Sequence, residues 1–245
     1  MNGVKVSGKR RRAWAGEFGV IVIGVLVALG VDDARQFIAD RSLEADLLLR
    51  MTSDLESDAD DLRGAYLMGK RRLWLYEQLI VPGDVESASQ VGSYPELEVL
   101  DATRSRSAPP SDSIGAPLAQ LVMFPEFDLS DDTYVEMGST GSLQIVRDTH
   151  LRSQILAYYR VAENVGADAR WAADHYERLE SALLSEGIAI ADRVPLAELK
   201  TRVRSERMQA ELRHARARTL TLFFFLEFLA AARKELAQVI QSHPG

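Results

Sequence analysis

Apolar side chains recur at helical spacing in three long stretches of this chain, and polar side chains fill the positions between them. The stretches cover residues 32–80, 148–186 and 196–242. Within each stretch, successive apolar positions are spaced in sums of three and four residues, which places them on one face of an α-helix. The pattern therefore predicts an all-α protein whose three main helices pack as an antiparallel bundle.

The first stretch contains no proline from Asp32 to Ile80 and predicts one long amphipathic helix. Gly64 and Gly69 weaken this helix and mark candidate bends. For the acidic cluster Asp54–Asp61, a solvated helix face is preferred to a Ca²⁺ site because a Gly-centred loop is missing. The predicted buried stripe is Ala34, Ile38, Ala45, Leu48, Leu55, Ala59, Leu62, Tyr66, Leu73, Tyr76 and Ile80, and the predicted charged face is Glu44, Asp46, Asp54, Glu56, Asp58, Asp60 and Asp61.

The second stretch has the most regular pattern, because its apolar positions alternate steps of four and three. Such a seam is typical of coiled-coil packing, and its alanines allow two helices to approach closely. It consists of Leu151, Ile155, Tyr158, Ala162, Val165, Ala169, Ala172, Tyr176, Leu179 and Leu183.

The third stretch begins at Leu196, or at Glu206 if Arg204 and Ser205 form a joint. Its segment Thr219–Ala232 is apolar on nearly all sides. A second membrane span is one interpretation of that segment, but Glu227 and Arg233 interrupt it and about 20 residues are needed. A helix buried in the bundle is preferred, and Phe223 and Phe224 are candidate partner contacts.

The region at 82–130 is expected to be an irregular insertion. It contains six of the eight prolines, and short helices are predicted at Tyr94–Thr103 and Gly115–Met123. Asp131–Val146 predicts a short helix, a turn at Gly138–Gly141 and a further helical turn. The glycines of that turn are better explained by a helix corner that requires positive φ than by an anion-binding loop.

Ahead of these helices, the fourteen residues Phe18–Val31 carry no polar side chain. A membrane-spanning helix needs about 20 apolar residues for a hydrocarbon layer of about 30 Å. Phe18–Val31 covers about 21 Å, and a start at Ala13 brings the length to about 28 Å. We therefore predict one transmembrane helix over residues 13–31 that continues into the first amphipathic helix.

Three residues of this span are candidate contacts with a partner in the membrane. Gly24 and Ala28 are small and four residues apart, which suits close packing against another helix. Glu17 lies one turn inside the membrane edge, where it is protonated, snorkels to the interface or meets a polar group of a partner.

The same segment has three alternative interpretations. A cleaved signal peptide shows the same order of basic, apolar and small residues, with Ala28–Gly30 as the cleavage pattern. A buried core helix is disfavoured by Arg10–Arg12 directly before the apolar run. A twin-arginine export signal lacks its surrounding consensus, so we prefer an uncleaved anchor.

The distribution of charge sets the expected orientation. Five basic residues precede the span and only Arg35 and Arg41 follow it closely, which places a basic tail, residues 1–12, in the cytoplasm. Residues 32–245 then form a domain outside the cytoplasm, which is the periplasm if the source is a Gram-negative bacterium and the anchor lies in its inner membrane. The net charge is −7, and the acidic excess lies in that domain. An acidic domain disfavours nucleic acid as a partner, since phosphate binding needs clustered Lys and Arg.

No motif for catalysis or cofactor binding is found. The chain has no Cys, and it lacks a phosphate loop, a G-x-S-x-G elbow and an H-E-x-x-H motif. Glu211 and His214 have the Glu-x-x-His spacing of di-iron bundles, but such sites need a second copy. We therefore expect no enzymatic activity, cofactor, metal or small-molecule substrate.

Two segments resemble a bacterial family of uncharacterised single-span membrane proteins. Gly16–Gln36, GEFGVIVIGVLVALGVDDARQ, is similar to the family's Gly-Glu and Ile-Gly-Ile-Leu-Ile-Ala-Leu opening. Thr133–Tyr159 is similar to its Tyr-x-Glu-Leu, Ser-x-Gly-x-Leu and Tyr-Tyr stretch. The family opening often continues as Asn-Asn-Trp, where this chain has Asp32-Asp33-Ala34. The resemblance implies a membrane-anchored helical domain and supplies no catalytic residue.

Taken with the anchor, these features predict a non-catalytic accessory or scaffold subunit of a larger inner-membrane complex. Other membrane-protein subunits and the lipid bilayer are its expected partners. An energy-transducing complex, photosynthetic or respiratory, is the specific expectation. The alternative is a periplasmic sensor or ligand-binding protein that acts through a partner, because only the short N-terminal tail is predicted to lie in the cytoplasm and it is too small for an output domain.

Overall fold

The computed structural model describes residues 8–81, 92–103, 117–122, 129–192 and 194–243, with side chains except at 8–17, 19, 20, 103, 117, 120 and 168–174. Over this part of the chain the protein is all-helical, which confirms the predicted fold class. The helices are α1 (Gly8–Leu79), α2 (Pro95–Thr103), α3 (Pro117–Val122), α4 (Asp132–Thr140), α5 (Thr149–Ser185), α6 (Leu196–Arg202) and α7 (Glu206–Ser242), and a 3-10 turn covers Ser142–Gln144.

The described residues up to Leu48 form one compact unit, and those from Leu49 form a second. Among the described residues, no helix is long and apolar enough to cross a membrane. The predicted span at 13–31 is therefore not confirmed, and the side chains at 13–17, 19 and 20 lie outside the description. Most of the predicted basic tail, residues 1–7, also lies outside it, as do 82–91, 104–116 and 123–128 of the predicted insertion.

In the second unit, α1, α5 and α7 form a three-helix bundle. α7 is antiparallel to α1, because Arg233 Nε donates to the Leu55 carbonyl (2.7 Å) and Gln209 Nε2 to the Leu79 carbonyl (3.1 Å). α5 is parallel to α1, since Asp58 meets Tyr158 and, farther along both helices, Arg72 meets Tyr176. The prediction of a purely antiparallel bundle is thus wrong for this pair. The chain between α1 and α5 is long enough to return to the starting end of the bundle.

The core follows the predicted stripes closely within this unit. Every described member of the α5 seam is buried. Thr219, Leu222, Leu226 and Leu229 of α7 are buried as well, so Thr219–Ala232 is a bundle helix, as preferred. In this unit the predicted α1 stripe holds from Leu55 onward, apart from half-buried Ala59. In the first unit Leu48 is buried, but Ala34, Ile38 and Ala45 are exposed.

The exposed start of the α1 stripe has a geometric cause. Glu44, Leu47 and Met51 also lie three or four residues apart, and these side chains are buried. Two neighbouring faces of the helix thus satisfy the same spacing rule, and the sequence pattern does not separate them. The predicted charged face is correspondingly wrong at Glu44, whose carboxylate pairs with Arg41 Nη1 at 3.2 Å.

Two side chains of α7 cap other helices of the bundle. Gln209 accepts from the Val81 N–H (2.9 Å) and donates to the carbonyls of Leu79 and Val203, where α1 and α6 end. Glu227 accepts from the backbone N–H groups of Glu96 and Leu97, at 2.9 and 3.1 Å. Because the first N–H groups of a helix lack internal partners, this carboxylate stabilises the start of α2.

The third predicted helix is divided into two at Arg204 and Ser205, which the sequence indicated as an alternative joint. α6 ends at Arg202, and Ser205 caps α7 by accepting from the Met208 N–H at 3.3 Å. α1 continues without a break through Gly64 and Gly69 to Leu79.

Candidate functional site

The apolar run of α1 is exposed along its whole described length. Side chains at 18, 21–23, 25–27, 29 and 31 have 38–69 % of their surface exposed. Gly24 has no atom within 4 Å of the position that a Cβ would take, so its face is open. Ala28 is exposed too, whereas the side chain of Glu17 lies outside the described residues.

The two predicted contact residues of α7 lie in opposite environments. Phe223 is 1 % exposed, and its ring packs against Tyr66 (5.0 Å between centroids) and Tyr94 (5.4 Å). It is therefore a core residue and offers no surface to a partner. Phe224 is 53 % exposed and forms an outward aromatic pair with Phe228, at 4.7 Å.

A buried carboxyl group joins α1, α5 and the segment before α4. Asp58 is 0 % exposed, so the prediction of a solvated face at Asp54–Asp61 is wrong at this position. Its carboxyl accepts from the Ser130 N–H at 2.7 Å and from the Tyr158 phenol. Burial raises the pKa of Asp58, and these two hydrogen bonds partly counteract the shift.

A cleft of about 510 Å³ lies beside this group, between α4 and α5. Its aromatic wall is formed by Tyr134 and Tyr159, whose rings stack with centroids 4.1 Å apart and planes 10° from parallel. Tyr159 is buried, and its hydroxyl donates to the Ser130 carbonyl at 3.5 Å. Tyr134 is half-buried and forms the outer member of the stack. The remaining wall is largely apolar, with Leu129, Val135, Leu156 and Ala162.

Three charged side chains also line the cleft. Asp131 occupies the N-cap position of α4, yet its carboxylate makes no capping hydrogen bond. Glu163 and Arg160 lie one turn apart on α5, and both are exposed. The lining thus contains two carboxylates and one guanidinium, so its net charge is negative.

A buried histidine and a half-buried one form a separate pair. His175 of α5 and His214 of α7 lie 4.8 Å apart between ring centroids. Burial, the neighbouring His175 and Arg218 lower the pKa of His214. Glu211 adds no metal site to this pair, since the described residues contain no group of three or more His, Cys, Asp or Glu side chains placed to hold a metal ion.

Of the two glycines in the predicted turn, only Gly141 has the preferred role of supplying positive φ at a helix corner. It ends α4 in the left-handed region, with φ of 74°, whereas Gly138 lies inside the helix, so the prediction is wrong at that position. A residue with a Cβ is disfavoured at φ of this sign, which explains glycine at position 141.

The cleft was not found from the sequence. Asp131, Tyr134 and Tyr159 lie on different elements, and nothing in their spacing shows that the turn at Gly141 folds α4 back onto α5. A signal was present in the Tyr158-Tyr159 pair, because two adjacent tyrosines on a helix point about 100° apart and only one belongs to the core stripe. No known protein family, curated protein or solved structure matches this chain.

Proposed function

We propose that this protein is a membrane-anchored, non-catalytic accessory subunit of a larger bacterial inner-membrane complex. The observation that supports this proposal most directly is the exposure of the apolar run of α1. Ile21, Val22 and Ile23 point in three directions around the helix, and all three are exposed, as are Val25, Leu26 and Val27. A helix that is apolar on all sides is stable when lipid or another protein surrounds it.

The proposed span is residues 13–31, with the N-terminus in the cytoplasm and the second unit in the periplasm. Support for the direction comes from the five basic residues before the span, against Arg35 and Arg41 shortly after it. Asp32 and Asp33 follow the apolar run directly and give it a sharp polar end.

The proposed partner is another membrane helix, which packs on the face of Gly24 and Ala28. Small residues four positions apart let two helix backbones approach closely in lipid. The open space at Gly24 is compatible with such a neighbour. The class of complex that we propose is an energy-transducing assembly, either photosynthetic or respiratory. We also propose that the resemblance to single-span membrane proteins reflects a shared membrane-anchored helical design.

The test is gentle solubilisation of membranes, a native gel and mass spectrometry of the band that contains this chain. We expect stoichiometric membrane subunits with the unmodified protein and their loss with Gly24→Leu plus Ala28→Leu. Val22→Leu plus Leu26→Ile lies on the opposite helix face and serves as the matched control. If the unmodified chain migrates alone or as a homo-oligomer, the proposal fails.

Topology is tested separately with a reporter fused after Gly245. An exterior-sensing reporter should be active there, and a cytoplasm-sensing one inactive. The opposite result would reject the proposed orientation without bearing on the partner subunits.

A further inference from the structure

We propose that the cleft between α4 and α5 is a binding site for a small organic cation with a quaternary ammonium head, held by Tyr134 and Asp131. This goes beyond the accessory role and adds a ligand where the sequence predicts none.

The cleft has the dimensions of a small-molecule site. Its volume of about 510 Å³ lies within the range of roughly 300–1,000 Å³ that is common for such sites. Leu129, Val135, Leu156 and Ala162 supply an apolar wall, which suits the methyl groups of a quaternary ammonium ion. A metal ion is a poorer occupant, because it requires several converging oxygen or nitrogen ligands.

The tyrosine stack supplies the attraction for a cation. Aromatic rings carry negative charge density on their faces, so two rings in parallel contact repel slightly at the shared faces. Tyr134 and Tyr159 are nearly parallel, with centroids 4.1 Å apart. A cation on the outer face of Tyr134 is attracted by that ring and, more weakly, by the ring behind it.

The carboxylates supply the charge preference. Asp131 and Glu163 make no ion pair with another described residue, and the carboxylate of Asp131 is not used to cap α4. Among the described residues, Arg160 is the one cation of the lining, so two carboxylates and one guanidinium leave a net negative charge there. Asp131 is the lining carboxylate whose charge acts on Tyr159 of the stack.

The electrostatic environment of Tyr159 agrees with this assignment. Its pKa is raised first by burial and then by Asp54, Asp58 and Asp131, whose negative charges disfavour a phenolate. The same charges favour a cation at the neighbouring stack. An anionic ligand would be attracted by Arg160 but repelled by these carboxylates.

The experiment measures binding of choline to the full chain in a mild non-ionic detergent by isothermal titration calorimetry. The comparison ligand is 3,3-dimethyl-1-butanol, which has the shape of choline and no charge. We expect choline to bind about tenfold or more tightly than the neutral analogue.

Variants then locate the site. Tyr134→Leu keeps an apolar side chain and removes the ring, and should weaken choline binding about tenfold. Tyr134→Phe keeps the ring face and should bind nearly as well as the unmodified protein, and Asp131→Asn should weaken binding several-fold. Trp74→Leu removes an exposed aromatic ring outside the cleft lining and should change nothing. Circular dichroism verifies that each variant is folded.

Three results would overturn the proposal. One is the absence of choline binding up to about 10 mM, a weak limit for a specific site. Another is equal binding of choline and its neutral analogue, which would make the cleft merely apolar. The third is unchanged binding in Tyr134→Leu, which would place any site elsewhere. None of these results bears on the membrane anchor or on copurifying subunits.

Discussion

The ring of Phe223 on α7 occupies the space that Gly69 on α1 leaves open. A Cβ at position 69 would lie 2.8 Å from Phe223 Cζ, closer than non-bonded carbon atoms approach. Tyr66 and Tyr94 hold the same ring from two further directions. Glycine costs about 1 kcal/mol inside a helix relative to alanine. This contact explains the presence of glycine at 69.

Gly69→Ala should destabilise the bundle despite the better helix propensity of alanine. Overpacking a core costs about 1–3 kcal/mol, whereas the helix gains only about 1 kcal/mol. A net loss of about 1 kcal/mol is therefore expected from urea unfolding followed by circular dichroism. The matched control is Gly64→Ala, since Gly64 has no atom within 4 Å of its Cβ position and should gain about 0.5–1 kcal/mol. Equal stabilisation by both changes would contradict the packing argument.

Asp58 should make stability depend on pH in a defined direction. Burial raises its pKa in the folded state, whereas an exposed aspartate has a pKa of about 3.9. Between these two values the folded protein binds more protons than the unfolded chain, so the free energy of unfolding falls as pH rises. The contribution is fully present below the unfolded pKa and is lost as pH rises through the folded pKa.

The measurement is a series of urea unfolding curves from about pH 4 upward, the lower end being near the pKa of an exposed aspartate. Asp58→Asn should lack this decrease, and the exposed Glu56→Gln should run parallel to the unmodified protein. Asp58→Ala should cost about 3 kcal/mol near pH 4, because it leaves the Ser130 N–H and the Tyr158 phenol without their acceptor, and this cost should shrink as pH rises. A pH dependence shared by unmodified protein and Asp58→Asn would exclude Asp58 as its source.

Gln209→Ala should be strongly destabilising for a polar substitution. The amide serves Val81, Leu79 and Val203 at the ends of α1 and α6 and is nearly inaccessible to water. Its loss leaves buried backbone groups unpaired, and each such group costs about 1–3 kcal/mol. We therefore expect the free energy of unfolding, measured by thermal unfolding, to fall by about 3 kcal/mol. Gln241→Ala, at an exposed position of the same helix, should stay within about 0.5 kcal/mol of the unmodified protein.

Glu227→Ala should loosen α2 without unfolding the bundle. The carboxylate is the acceptor for the first free N–H groups of α2, and a nine-residue helix is marginal without such support. Hydrogen exchange should accelerate over Glu96–Thr103 and stay unchanged in α5. Glu235→Ala, which removes the surface hydrogen bond with Gln154, is the control. Uniform acceleration in every helix would point to global destabilisation.

Several elements could be predicted because their cause is local. The α5 seam repeats every three or four residues, so its buried face follows from helix geometry alone. The joint between α6 and α7 was recognisable from Arg204-Ser205, since a serine caps a following helix through its own hydroxyl. The short helices of the insertion were also placed near their observed bounds, because prolines mark their beginnings.

Other features depend on contacts between distant segments. The sequence gives Asp58 the spacing of a solvated face, and only the approach of Tyr158 and Ser130 makes it a buried acceptor. Phe223 and Phe224 are adjacent and chemically identical. Their roles differ because about 100° of helix rotation turns one toward Gly69 and the other toward solvent.

What the sequence determined by itself is the all-α class, the extent of the long helices and the buried faces of α5 and α7. These depend on interactions within about four residues along the chain. The tertiary structure decided the parallel pairing of α1 with α5, the capping roles of Gln209 and Glu227, and the cleft at Tyr134 and Tyr159. Each of these features joins residues that are far apart in the chain. The pattern of residues along one helix does not show in which direction a second helix runs or how close it lies.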